Sequence, residues 1–267
     1  MSAEVERSGA ALHAQQRRAR SFGSDAELYD RARPGYPAAV AEGLGAGPGI
    51  RVLDVGAGTG KASETFRAAG CSVLGLEPDE RMAAVARRKG LGVEIGTFET
   101  WEAGDRSFDL VIAGQAWHWV DPREGPARAW AVLEAGGRLA PFWNYRRQFD
   151  PEIDQVLRAP YRRLAPALLD GSITGGVSGN GGRTTRETLE QLRASRYFAE
   201  PEVQRHGWSQ RYDAAQWCAL LDTFSDHRLL EPAQRAALIA AVGEAIERLG
   251  GELVVDYKTV VVSATRR

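Results

Sequence analysis

The sequence predicts an α/β fold: a seven-stranded, mainly parallel sheet with helices on both faces and a lid inserted after the fifth strand. Three observations carry this prediction. The segment Val52-Leu-Asp-Val-Gly-Ala-Gly-Thr-Gly60 runs an apolar strand and an acid directly into three alternating glycines, and a segment of helical composition follows. Short apolar runs then alternate with helical segments as far as Asn144, the order that produces a parallel sheet. Finally, 267 residues with 43% hydrophobic side chains suffice for one sizeable core with a small lid.

In chain order, residues 1–21 lack strong apolar periodicity and are expected to form a flexible N-terminal segment, leaving 22–267 as a single domain. Between Phe22 and Pro37 aromatics and arginines surround two prolines that stop a helix after Arg33. Ile50 to Val55 reads as a buried strand, Lys61 to Ala69 as a helix, Ser72 to Glu77 as a second strand and Asp79 to Arg88 as a second helix of the motif. Gly92 to Gly96 and Phe108 to Ala113 are the third and fourth strands. Pro122 to Leu133 is helical, and the glycine-led run Gly136 to Asn144 is the fifth strand. Regular alternation then stops. Residues 145–200 hold a helix from Pro151 to Leu157 and a glycine-rich run, 171–182, that is either an acceptor-binding lid or a surface linker. A strand at Val203 to Trp208, helices at Ala214 to Thr223 and Glu231 to Leu249, and a last strand at Leu253 to Val262 complete the chain.

The glycines turn the chain tightly and admit a ligand where a Cβ would block it. Their spacing is G-x-G-x-G, with Lys61 next in line, whereas the dinucleotide fingerprint is G-x-G-x-x-G. Asp54, two residues before the first glycine, would repel a pyrophosphate and suits a cationic ligand. Glu77 closes the second strand roughly 20 residues past the loop, where a ribose hydroxyl pair is commonly held. With these residues the chain resembles the class I S-adenosylmethionine-dependent methyltransferases, whose fold is Rossmann-like. Asp54, Gly56, Gly58 and Gly60 match the family's first motif, and Glu77, Pro78, Asp79 and Met82 its second. The resemblance implies that Glu77 binds ribose, that Gly56, Ala57, Gly58 and Gly60 lie against the methionine moiety and ribose, and that Phe98 and Glu99 contact adenine. Met82 either flanks the adenine or belongs to the core of its helix.

Ligands of open α/β sheets bind beyond the carboxyl ends of the strands, which places Gln115, Ala116, Trp117, His118 and Trp119 between donor and acceptor. The Trp117-His118-Trp119 run resembles that of small-molecule methyltransferases related to trans-aconitate methyltransferase, which esterify a carboxylate. His118 is the candidate catalytic residue: a general base, a hydrogen-bond donor to a carboxylate, or an anchor for the tryptophans. Trp117 and Trp119 either face the sulfonium or pack in the core. Arg33, Arg146 and Arg147 are candidates for pairing an acceptor carboxylate. Tyr29 and Tyr36, with Arg33, form either a lid over the cofactor or a staple onto the core, and Asn144 joins the substrate-side candidates at the end of the fifth strand.

A formal net charge of −1 carries no basic footprint for nucleic acid. Cys71 and Cys218 form no C-x-x-C pair, His206, Asp226 and His227 show no convergent metal set, and Ser225-Asp-His227 lacks the strained turn of a hydrolase triad. The N-terminus has no apolar signal core and no run is long enough to span a bilayer, so a cytoplasmic location without a membrane partner is expected. The expected function is methyl transfer from S-adenosylmethionine to a small-molecule acceptor, oxygen first, with nitrogen and carbon behind. An NAD-dependent oxidoreductase and a non-catalytic S-adenosylmethionine-binding protein are the competing readings.

Overall fold

Apolar strands separated by helices lead, in the computed structural model, to one seven-stranded sheet of order β3-β2-β1-β4-β5-β7-β6. The structure describes residues 25–169 and 182–267. The expected flexible segment 1–21 and all but Gly182 of the glycine-rich run lie outside them. Strands β1 (Arg51–Val55), β2 (Ser72–Glu77), β3 (Gly92–Ile95), β4 (Phe108–Gly114) and β5 (Leu133–Arg146) pair in parallel. Strand β7 (Glu252–Thr265) inserts antiparallel beside β5, and β6 (Glu202–Asp213) pairs antiparallel with β7 at the edge. The central strand β1 is buried at four of its five positions, as helices on both faces require. Strand order reverses between β1 and β4, so a crevice opens beyond their carboxyl ends.

Helices α1 (Ala26–Ala32) and α2 (Ala38–Gly43) precede β1. Helices α3 (Lys61–Ala68), α4 (Glu80–Arg88) and α5 (Gly125–Val132) are crossovers, and Asp79 caps α4 by accepting from the amides of Arg81 and Met82. One face of the sheet buries Phe98, Trp101, Trp117, Trp143 and Phe198, and the other buries Val40, Phe66, Ile112 and Phe142.

The greatest departures from the sequence reading follow β5. Helix α6 (Pro151–Leu164) runs through Pro160, seven residues beyond the predicted end, because Leu157, Pro160 and Tyr161 form one buried face. Helix α7 (Gly182–Ala194), where no helix is predicted, buries Leu192 against Phe198 and Val262. The ends of β6 and β7 project past β5 as a two-stranded ribbon. Helices α8 (Ala214–Asp222), α9 (Ser225–Arg228) and α10 (Pro232–Arg248) pack there with α6 around a separate core of Tyr161, Trp217, Leu238, Val255 and Tyr257. No helix among the described residues is long and apolar enough to cross a membrane.

Candidate active site

The crevice is a cleft of about 720 Å³ between the β1, β2 and β4 ends on one side and the chain before α2 and around α9 on the other. Its floor is the glycine loop. Gly56 and Gly58 adopt φ of 68° and 58°, and a Cβ on Gly56 would stand 2.6 Å from the Ala116 Cβ, so neither position accepts a side chain. The loop is tied to β2 by the amides of Gly56 and Ala57, which both donate to the Leu76 carbonyl. Gln115 meets it with φ 56°, the only positive φ of a non-glycine residue among those described, a strained conformation of the kind found at functional sites.

Glu77 lines the cleft, accepting from the amides of Gly58 at 2.8 Å and Asp79 at 2.9 Å. Burial raises its pKa to about 7. Pro78, Met82, Phe98 and Glu99 also line the cleft. Met82 is buried with Val85, and its Cε lies 3.5 Å from where a Cβ on Gly58 would stand. The Glu99 carboxylate holds the opposite loop by accepting from the Asp121 amide. Ala57, Gln115 and Ala116 are present as expected, whereas Lys61, Thr97 and Asp226 enter the lining without having been singled out for it.

Several expected positions are corrected. Asp54 is fully buried beneath the glycine loop, where Ser63 Oγ donates to its Oδ2 at 2.6 Å. Loss of solvent raises its pKa to about 7, and its Oδ1 has no hydrogen-bond partner among the described residues. Gly60 begins α3 against Ala86 and Leu91 and does not line the cleft. Trp117 takes the core alternative: it is 2% exposed, and its indole nitrogen donates to Gln191. Arg146 lies over the Phe149 and Trp217 rings in the ribbon core, where burial lowers its pKa to about 10. Arg147 is exposed, and its backbone amide continues the β5–β7 pairing by donating to Asp256. No described residue between 145 and 200 lines the cleft. Among the described residues, the wall facing the loop is made by Tyr29, Arg33 and Tyr36 and by Phe224, Ser225, Asp226 and Leu229.

Trp119, His118 and Asn144 also line the cleft. Asn144 is fixed between Gly35, to whose carbonyl it donates, and Thr259, whose hydroxyl donates to it. Trp143 Nε1 donates to His118 Nδ1 at 3.4 Å, which places the proton of a neutral imidazole on Nε2. Apolar walls favour that neutral form and lower the His118 pKa to about 4, while water admitted to the open cleft works against the shift. Arg33 Nη2 donates to the Thr223 carbonyl at 2.9 Å, and the guanidinium lies 4.5 Å from the Phe224 ring centroid. Its Nε is buried without an acceptor among the described residues. No cluster of metal-ligating side chains occurs among the described residues.

A model described as a methyltransferase domain matches residues 53–140, the stretch from β1 into β5 that builds the cleft floor. A demethylmenaquinone methyltransferase from Tropheryma whipplei is 30% identical over 162 residues, covering 55% of this chain and 68% of that protein. The chain belongs to the class I S-adenosylmethionine-dependent methyltransferases. This methyltransferase is also 40% identical over 128 residues to an uncharacterized methyltransferase of Mycobacterium tuberculosis, covering 47% of the chain and 53% of the relative. It thus spans about half the length of this relative and of two others like it. A type II methyltransferase structure from Anaeromyxobacter dehalogenans shares the fold, with TM-score 0.62 and 23% identity over 87% of this chain and 97% of that one. The family's cofactor is S-adenosylmethionine. The cleft fits it, with a glycine floor that a Cβ would fill, an acceptor carboxylate at the end of β2 and, beneath the loop, an Asp54 oxygen without a partner among the described residues. Membership displaces the nicotinamide reading.

Proposed function

We propose that this chain transfers the methyl group of S-adenosylmethionine to a carboxylate oxygen of a small-molecule acceptor, giving a methyl ester. The sulfonium, when bound, supplies an electrophilic methyl carbon. Glu77 would hold the ribose hydroxyls, Met82 and Phe98 would enclose the adenine, and Lys61 would border the amino-acid portion, with Asp54 buried beneath the loop. Arg33 is the observation that carries the acceptor class, because its guanidinium lines the cleft, anchored through Nη2 to Thr223, and its Nε has no acceptor among the described residues. A guanidinium so held orients a carboxylate.

His118 supports the same reading. With Nδ1 accepting from Trp143, it offers the cleft an N–H donor and no lone pair. A general base needs the reverse arrangement. A carboxylate needs no base, since it attacks as the anion: an oxygen lone pair forms the O–C bond as the C–S bond breaks, and no proton moves. Orientation and exclusion of water by Trp119, Phe224 and Tyr36 are then the protein's contribution.

The test uses S-adenosylmethionine labelled in the transferred methyl group, the full chain, and matched panels of carboxylic acids, phenols and amines. The expected product carries label that mild alkali releases as methanol, the behaviour of an ester. Transfer of label into alkali-stable products alone would overturn the carboxylate assignment.

A further inference from the structure

The segment Ser225-Asp-His227, set aside as a hydrolase triad, has a different use. His227 is fully buried, and both ring nitrogens are engaged: Nδ1 lies 3.0 Å from Asp226 Oδ1, and Nε2 lies 3.0 Å from the Tyr161 hydroxyl. Asp226 Oδ1 also accepts from the His227 amide at 2.9 Å. A carboxylate oxygen only accepts, so Nδ1 carries a proton and donates to Asp226, while Nε2 pairs with the Tyr161 hydroxyl. Tyr161 is itself 1% exposed, and its ring meets the imidazole edge-on. A hydrogen-bonded chain therefore runs from the ribbon core to a carboxylate in the cleft wall. The two buried groups of this chain satisfy each other and Asp226, which holds the carboxylate in a set orientation.

Asp226 lines the acceptor end of the same cleft as Arg33. The two come from distant parts of the sequence, and Arg33 is bound to Thr223, on the turn that leads to Asp226. The cleft wall thus presents both a guanidinium and a carboxylate, with Phe224 and the exposed Leu229 as apolar members of the same wall.

Building on the carboxylate reading above, we infer that Asp226 recognises a hydrogen-bond donor on the acceptor, a hydroxyl or ammonium group beside the carboxylate held by Arg33. Tyr161 and His227 are positioning residues for Asp226. The acceptor class is a hydroxy or amino carboxylic acid with an apolar remainder.

Calorimetry of the full chain saturated with S-adenosylhomocysteine tests this directly, with 3-phenyllactate, phenylalanine and 3-phenylpropionate as probes. The first two are expected to bind at least about tenfold more tightly than 3-phenylpropionate, which lacks the donor. Asp226→Asn should erase that difference without changing affinity for S-adenosylhomocysteine. Tyr161→Phe keeps the ring and should weaken only the donor-bearing probes, whereas a merely structural role would weaken all three alike. Equal binding of the three probes, binding of none, or a preference that survives in Asp226→Asn overturns the inference. Loss of S-adenosylhomocysteine binding by the unaltered chain would instead undo the underlying methyltransferase reading, and alkali-stable methyl products would undo its carboxylate step alone.

Discussion

Asp54 and Glu77 show how burial turns ordinary carboxylates into proton-sensitive parts of a cofactor site. Each is held near pKa 7 by desolvation, above the range of a carboxyl in the unfolded chain. Between roughly pH 4 and pH 7 the folded state therefore keeps protons that the unfolded chain has released, and this contribution to stability falls as pH rises, becoming level above about 7. For Asp54, with no exposed surface, the loss approaches roughly 4 kcal/mol across that window. Asp54→Asn removes the titration and nearly keeps the shape. Denaturant unfolding of cofactor-free protein from pH 4.5 to 8 should show the unaltered chain losing stability relative to this variant as pH increases. Parallel pH profiles would refute the assignment. The glycine loop and Glu77 were legible in the sequence because their conformational and hydrogen-bonding demands are local. The burial of Trp117 was not, since Gln191, its indole's partner, stands 74 residues away.

Among the elements, β4 has the least tolerance at the cleft. A Cβ on Gly114 would meet Ala62 Cβ at 2.9 Å, Tyr36 Oη at 2.9 Å and Phe142 Cε2 at 3.0 Å, contacts from three separate segments. Gly114→Ala should therefore destabilise the protein by about 1–3 kcal/mol, and displacement of Tyr36 should weaken acceptor binding as well. A thermal melt that matched the unaltered protein would mean the wall yields freely. The strands from β1 to β5 were readable because apolar runs bounded by glycine have few alternatives. Helix α6 was only half readable: Pro160 argues locally against a helix, and burial of Leu157, Pro160 and Tyr161 against the ribbon outweighs it. Helix α7 is polar on most of its surface and owes its place to Leu192, Thr188 and Thr185.

At the scale of the whole molecule, one sheet serves two cores with separate duties. The β1–β4 ends and their helices build the cleft floor, while the β6–β7 ribbon with α6, α8 and α10 packs behind the opposite wall. Leu238 lies wholly within the ribbon core, and Leu238→Ala should lower stability by about 2–5 kcal/mol while leaving affinity for S-adenosylhomocysteine within about twofold. Calorimetry beside denaturant unfolding checks both halves, and a fall in cofactor affinity in step with stability would show the cores to be a single unit. The sequence by itself determined the α/β class, the strand count, the glycine floor and the acid at the end of β2, because periodicity and glycine conformation act over a few residues. Only the tertiary structure decided that Arg33 and not Arg146 reaches the cleft, that Asp226 joins it, and that Tyr161 and His227 meet. Those outcomes depend on how α1, α6 and the turn before α9 pack on a ribbon closed by pairing between distant strands, and no local pattern encodes which side chains such packing brings within hydrogen-bonding distance.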